Sequence, residues 1–274
     1  MRIDGKKIAE KIISDLRKLP KPDKMLAAVL VGDNPQSLSF LKQKEKMAQV
    51  LGVPFHLYRF NESISEIDLT AEIKKIGDDP EIGGIIVQLP LSAHYDRDNI
   101  LSAINPKKDI DAMTPEGGKF VDPLPVAVIK DILSNQNLEI SNLSVAVVGR
   151  GFLVGKPVMM WLDSIGKKYG LFHSKSDISE IRNFDLIITG VGKGGLINPE
   201  MLKGGAGIID FGYDFVEIKT GKEKVWNKIR GDFDASSFEH SAFNIKTTWY
   251  TPTPGGTGPI LVAEIFKNFY KLNS

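Results

Sequence analysis

Val145-Ala146-Val147-Val148-Gly149-Arg150-Gly151-Phe152-Leu153-Val154-Gly155-Lys156-Pro157 reads as a short apolar strand that runs through a glycine turn into the start of a helix. Glycines let the chain turn tightly and bring its backbone against a pyrophosphate, and the unpaired N–H groups at a helix N-terminus stabilise that charge. The spacing is Gly-x-Gly-x-x-x-Gly and departs from the commoner Gly-x-Gly-x-x-Gly, so a plain structural turn is the alternative reading. Further strands are expected near Gly170, Leu186 and Ile208. Strands alternating with helices in this way predict a Rossmann-like α/β domain built on a mostly parallel sheet.

The end of the next strand decides between the two nicotinamide dinucleotides, because NAD sites place an Asp or Glu about 20 residues on to bind the ribose hydroxyl. Here that region reads Phe172-His173-Ser174-Lys175-Ser176, without a carboxylate. Hydroxyls and a cation suit the extra phosphate of NADP, which a carboxylate would repel, and Arg150 offers a two-pronged guanidinium from the glycine turn. NADP is therefore the expected cofactor. Taken singly, Ser174 as a turn cap and Lys175 as a solvated charge are the plainer readings.

Upstream, Met25-Leu26-Ala27-Ala28-Val29-Leu30-Val31 is a continuous apolar run closed by Gly32-Asp33-Asn34-Pro35, the pattern of a fully buried strand and a turn. A helix over 37–51, a strand over 55–60, a helix over 64–76 and the strand Gly84-Ile85-Ile86-Val87-Gln88, stopped by Pro90, continue the rhythm. Before them, Ile8, Ile12, Ile13 and Leu16 share one helical face. Residues 104–125 then dissolve into a polar, Pro- and Gly-rich stretch too long for an idle turn, and long ordered loops of this kind often carry function. A helix over 126–133 restarts the pattern. After Tyr250-Thr251-Pro252-Thr253-Pro254-Gly255-Gly256-Thr257-Gly258-Pro259, a last helix through about Tyr270 is expected to return to the first domain. The expected organisation is an N-terminal α/β catalytic domain, 1–122 completed by 252–274, and a Rossmann-like domain, 123–251.

A chain of 274 residues exceeds what one core usually organises, and 42% hydrophobic with 25% charged residues sets disorder aside. Thirty-five Lys and Arg against 34 Asp and Glu leave a formal charge of +1, so no global field draws nucleic acid or an anionic membrane. Any bound anion must be gripped locally. The absence of cysteine removes disulfides, thiolate chemistry and cysteine-ligated metals, and suits a reducing cytoplasm. His56, His94, His173 and His240 lack zinc-like spacing, so no metal is expected. The start of the chain lacks the pattern of a signal peptide, and the apolar runs fall short of the roughly 20 residues a bilayer requires. A soluble, cytoplasmic protein is expected.

In the first half, Phe40 and Lys44 stand four apart on the expected helix, so a ring and an ammonium project from one face. A core ring beside a surface lysine is the plainer reading of that pair alone. Gln88 strengthens it by lying at the carboxyl end of an apolar strand, where open α/β sheets bind ligands, and Asp111 lies in the long loop.

Five motifs follow in order: Phe40-x-x-x-Lys44, Val87-Gln88-Leu89-Pro90, Lys108-Asp109-Ile110-Asp111-Ala112, the glycine turn 149–157, and Pro254-Gly255-Gly256-Thr257-Gly258-Pro259. With Ile3-Asp4-Gly5-Lys6 at the start and Gly231-Asp232-Phe233-Asp234 late in the chain, the sequence resembles the bifunctional methylenetetrahydrofolate dehydrogenase/methenyltetrahydrofolate cyclohydrolase family along almost its whole length. That resemblance implies an NADP-dependent enzyme of one-carbon metabolism. It also implies a homodimer of two-domain subunits acting on tetrahydrofolate derivatives, with folate in the cleft between the domains.

The resemblance further implies roles. Lys44 is the acid/base or electrostatic group of the hydrolytic step, Gln88 orients it, and Asp111 holds the pterin by its amino and ring N–H groups. Phe40 takes the place of a stacking tyrosine, while Leu89, Pro90, Pro254, Gly255 and Gly258 line the substrate site. Gly149, Arg150, Gly151, Val154, Gly155, His173, Ser174, Lys175, Gly190, Gly192, Tyr213 and Gly258 contact the cofactor. Hydride transfer requires positioning more than an acid or base, whereas water addition requires a proton to move. For Lys44 to serve as a free base, its ordinary pKa of about 10.4 must fall to about 7, and a protonated lysine donating a hydrogen bond is the other option.

Several positions depart from the family pattern. Phe40 lacks the tyrosine hydroxyl, Ala112 replaces a glycine, Leu124 and Leu261 replace threonines, and Gly151 replaces a serine. Ala112 is strained if its position demands a positive φ. A dehydrogenase without the hydrolytic step, or a folate- or nucleotide-binding sensor without catalysis, are the alternative functions.

Overall fold

A computed structural model describes residues 1–220, 224–236 and 248–274; His240 lies outside them. The chain divides into two compact units: a first formed by Glu10–Leu124 and Val262–Ser274, and a second formed by Met1–Ala9 and Pro125–Leu261.

The chain opens with α1 (Gly5–Leu16), whose Ile8, Ile13 and Leu16 are buried as their spacing requires. In the first unit, β1 (Met25–Val31), α2 (Pro35–Leu51), β2 (Phe55–Phe60), α3 (Glu66–Asp78) and β3 (Ile82–Val87) build a parallel sheet of order β2-β1-β3. The central β1 is the Met25–Val31 run; Leu26 to Leu30 are buried on both faces, which is why the run does not alternate. The Asn34 side chain caps α2 by accepting from Gln36 N at 3.0 Å and Ser37 N at 3.1 Å, and Gly52 ends it at φ 67. After α4 (Arg97–Ser102), the long loop proves ordered, with single 3-10 turns at Pro106–Lys108 and Gly117–Lys119.

The second unit contains α5 (Leu124–Asn135), β4 (Val145–Val148), α6 (Gly155–Ser164), β5 (Tyr169–Phe172), β6 (Leu186–Thr189), β7 (Gly207–Asp210), the antiparallel pair β8 (Asp214–Thr220) and β9 (Lys224–Arg230), and β10 (Trp249–Tyr250). Its parallel sheet runs β5-β4-β6-β7-β10. Strand order therefore reverses between β4 and its two neighbours β5 and β6, which makes their carboxyl edge the expected ligand crevice. Ala146, Val148, Phe172, Ile187 and Ile208 form the core beneath it. Ile3 N donates to Tyr250 O at 2.8 Å and Tyr250 N to Met1 O at 3.0 Å, so the first residues lie beside β10. Gly5 is required there, since a Cβ would stand 1.8 Å from Gly256 O.

The final helix, α7 (Thr257–Leu272), passes into the first unit, where Phe266 and Phe269 are fully buried. Asn268 Nδ2 donates to Ile110 O at 2.8 Å and Asp122 O at 3.1 Å, which ties the tail to the long loop. The two α/β units with parallel sheets and the returning tail are the architecture expected from sequence. Among the described residues, no helix is long and apolar enough to cross a membrane.

Candidate functional site

Six of the expected residues lie in the first unit. Lys44 projects from α2, half-buried, and its Nζ donates to Gln88 Oε1 at 3.0 Å. Gln88 is held in turn: its backbone N donates to Val29 O at 2.9 Å, extending the β3 ladder by one residue, and its Nε2 donates to Leu89 O at 2.7 Å. With Nε2 engaged, the side chain presents its oxygen to the lysine. The Leu89-Pro90 peptide that follows is cis. Phe40, one turn before Lys44 on the same helix, is half-buried.

Asp111 is 7% exposed, and its Oδ1 is a buried acceptor without a hydrogen-bond partner. Burial pushes this carboxyl up to about 6, with Lys44 opposing the rise and Asp109 adding to it. Burial likewise pushes the Lys44 ammonium below its ordinary value, and Asp111 opposes that shift. The backbone around Asp111 is set by Asp109, which sequence reasoning did not select. The fully buried Asp109 carboxylate accepts from Thr114 N at 2.9 Å, Thr114 Oγ1 at 2.8 Å and Met113 N at 3.2 Å, and so closes the loop on itself. Ala112 inside this closure has φ 48, the left-handed conformation that the sequence comparison flagged. A second residue missed is Ser37, whose buried Oγ also has no partner. Its spacing of three from Phe40 and seven from Lys44, on one helical face, was the available signal.

The second unit holds the glycine turn. Gly149 has φ 92 and donates to Phe172 O at 2.8 Å, and a Cβ at Gly155 would come within 2.2 Å of Gly149 O. These two glycines are thus required by the turn itself. At Gly190 a Cβ would meet that of Val154 at 2.7 Å, so this glycine lets the end of β6 close on the turn. Gly151 is different: only Gly190 O, at 3.9 Å, lies near its Cβ position, leaving open space on that side. No side chain caps α6; within its first turn Lys156 N donates to Gly151 O at 2.9 Å and Pro157 has no N–H. The open space beside Gly151, at the N-terminus of α6 and flanked by Arg150, fits a bound pyrophosphate.

The register Val148↔Phe172 and Val148↔Thr189 brings Gly149, His173 and Gly190 to one edge of the sheet. His173, Ser174 and Lys175 form an exposed turn, closed by Ser176 N donating to His173 O at 2.9 Å. The nearest carboxylate in sequence, Asp177, is occupied by Ser179 N at 2.9 Å. Gly192 has φ 75, and Tyr213 packs its ring edge-on to Phe215 at 5.3 Å. Pro254, after a cis bond from Thr253, and Gly255 and Gly258 also belong to this unit. The expected substrate residues are therefore divided between the two units.

Two further carboxylates went unselected. Asp232, fully buried, accepts from Thr189 Oγ1 at 2.6 Å, Val191 N at 2.7 Å and Lys193 N at 2.8 Å. Asp210 accepts from Gly212 N at 2.6 Å and Phe233 N at 3.0 Å; burial pushes it up to about 7, and Asp232 adds to the rise against the N–H donors.

A glycine turn at the switch point of a doubly wound sheet, in one chain with an α/β unit bearing a half-buried lysine beside a buried amide and carboxylate, is the equipment of a nucleotide-dependent α/β enzyme. The chain belongs to the tetrahydrofolate dehydrogenase/cyclohydrolase family: residues 3–111 match its catalytic domain and 123–274 its NAD(P)-binding domain. It is 34% identical over 285 positions to a bifunctional FolD protein of Nautilia profundicola, covering 98% of this chain and 95% of that one. The crystal structure of the bifunctional FolD methylenetetrahydrofolate dehydrogenase/cyclohydrolase from Campylobacter jejuni superposes with a TM-score of 0.85 at 31% identity, covering 100% of this chain and 98% of that one. The Trypanosoma brucei methylenetetrahydrofolate dehydrogenase-cyclohydrolase, crystallised with NADP and an inhibitor, gives 0.83 at 25% identity, over 99% of this chain and 96% of that one.

Proposed function

We propose that this protein oxidises 5,10-methylenetetrahydrofolate with NADP and hydrolyses the 5,10-methenyl product to 10-formyltetrahydrofolate. The observation that carries this reading is the buried, donorless Asp111 Oδ1, coupled electrostatically to Lys44, which is itself bonded to Gln88. A carboxylate acceptor left open in this way suits the amino and ring N–H groups of a pterin. Phe40 stacks on the folate ring system, with Leu89 and Pro90 beside it, and Pro254, Gly255 and Gly258 complete the substrate contacts from the second unit.

NADP, when bound, supplies the hydride acceptor. Gly149, Arg150, Gly151, Val154, Gly155, Gly190, Gly192, Tyr213 and Gly258 would hold it, with His173, Ser174 and Lys175 around its extra phosphate. For the hydrolytic step the chain supplies its own groups. Gln88 fixes the direction of the Lys44 Nζ, and burial makes the neutral amine more accessible than in water. Lys44 takes a proton from the water that adds to the methenyl carbon and returns it to the folate N5 as the carbon–N5 bond breaks, while the remaining hydroxyl proton leaves to solvent as the formyl C=O forms. By function the folate domain is drawn as 1–122 with 252–274 and the nucleotide domain as 123–251, although Met1–Ala9 and residues 252–261 pack with the second compact unit. Subunits pair as a homodimer in the cytoplasm, and size-exclusion chromatography tests the pairing.

Purified protein given methylenetetrahydrofolate and either NADP or NAD should form NADPH, and the methenyl species should pass on to formyltetrahydrofolate. NADPH with lasting methenyl accumulation would mark a dehydrogenase without the second step. Neither product would leave a binding protein.

A further inference from the structure

The proposed cofactor contacts Gly190 and Gly192 lie in residues 190–193, a segment outside any helix or strand in which Gly192 has φ 75 and Val191 is 46% exposed. Such a segment does not fix its own shape. Its inward-facing amides converge on one side chain, since both Val191 N and Lys193 N donate to the Asp232 carboxylate, one to each oxygen. Thr189 Oγ1, at the end of β6, shares Oδ2 with Val191 N. Further along, Gly195 N donates to Gly231 O at 3.0 Å and Ile197 N to Asp232 O at 2.9 Å. The segment is thus laced to residues 231–232, and the carboxylate supplies the bonds at its glycine end.

Asp232 is anchored in its turn. Asp210, at the end of β7, accepts from Phe233 N at 3.0 Å and Gly212 N at 2.6 Å. The approach is close enough that a Cβ at Gly231 would stand 2.0 Å from Asp210 Oδ2, and one at Gly212 would stand 2.3 Å from Asp232 Oδ1. Two side chains and two bare glycines therefore connect the end of β7 to the loop after β6.

We propose that Asp232 is a positioning residue of the dinucleotide site, holding Val191 and Lys193 by their amides so that the 190–193 backbone stands in the shape that receives the cofactor. This rests on the second unit binding NADP, as proposed above. Asp232 itself is fully buried and acts only through the loop.

Asp232→Asn tests the assignment because an amide has one acceptor oxygen, so its nitrogen must face either Val191 N–H or Lys193 N–H and one bond is lost. The dissociation constant for NADP, measured by calorimetry, should rise at least about tenfold, the scale of one buried charge-assisted hydrogen bond. Hydrolysis of methenyltetrahydrofolate, a step that consumes no nucleotide, should stay within about twofold of the parent on that same scale, and amide exchange at Val191 and Lys193 should quicken. Thr189→Val, which removes one donor and keeps the carboxylate, should weaken NADP in the same direction by less. Unchanged NADP affinity in Asp232→Asn overturns the proposal, as does loss of NADP binding and hydrolysis in equal proportion in both variants, the mark of a merely structural group. A parent protein that hydrolyses methenyltetrahydrofolate but does not bind NADP would sink the cofactor reading first and this assignment with it.

Discussion

The two units each bury acidic side chains, but they leave them in opposite conditions. In the second unit, backbone amides and a threonine hydroxyl donate to Asp210 and Asp232. In the first unit Asp111 keeps an oxygen with no donor at all, beside a lysine whose charge burial disfavours. A buried carboxylate whose two oxygens both accept from the chain is scaffold. An unsaturated one is a demand for a donor, and the least costly donor is a ligand.

The sharpest way to break this contrast is to remove the cation of the open site. Lys44→Met retains the apolar stem and loses the ammonium, so methenyl hydrolysis should fall by about 10²–10⁴-fold, the usual loss for a positioned acid or base, while NADPH formation falls far less. Equal losses in the two assays would turn Lys44 into a binding or folding residue. Next in size is Arg150→Ala, which leaves the scaffold intact. Removal of a charge-assisted bond worth about 1.5–3 kcal/mol should raise the Michaelis constant for NADP and leave that for NAD nearly unchanged. A parent enzyme that uses both nucleotides equally well contradicts this.

The pH dependence of stability probes both regions at once. Asp111 and Asp210 have folded values of about 6 and about 7, above the unfolded carboxylate at 3.8. The folded chain therefore holds protons that the unfolded chain releases, and stability falls as pH rises from about 4 to about 7. Thermal melts across that range should show the decline. Asp210→Asn should flatten its upper part and Asp111→Asn its lower part, and a parent melting temperature that climbs steadily to pH 7 would falsify the assignment. The smallest effect belongs to Ala112→Gly. Relief of a left-handed alanine, worth about 1 kcal/mol, is partly offset by the greater freedom of glycine in the unfolded chain, so a gain of a few tenths of a kcal/mol is expected from denaturant titration.

What was legible in the sequence follows the same division. Continuous apolar runs such as Met25–Val31 announced buried parallel strands, and the glycines at 149 and 155 announced a turn that admits no side chain. Lys44, Gln88 and Asp111 were legible because they stand in recognisable local patterns. Asp210 and Asp232 were not selected. Asp210, a single aspartate at the end of a short strand, looks like any surface carboxylate, and the Gly231–Asp234 motif that holds Asp232 says nothing of partners 39 to 43 residues away. The β8–β9 pair was also overlooked, although polar residues around Gly221 separate two runs of strand-forming residues.

The pairing of the first residues with Tyr250 and Gly255 also bears on how the chain matures during synthesis. Ile3 and Gly5 find their partners only when residues some 250 positions later have been made, and the first unit likewise lacks Phe266, Asn268 and Phe269 until the last helix emerges. Contacts of such long sequence separation close slowly. Both units therefore wait on residues made late in synthesis, the second on those through Gly255 and the first on Phe266, Asn268 and Phe269.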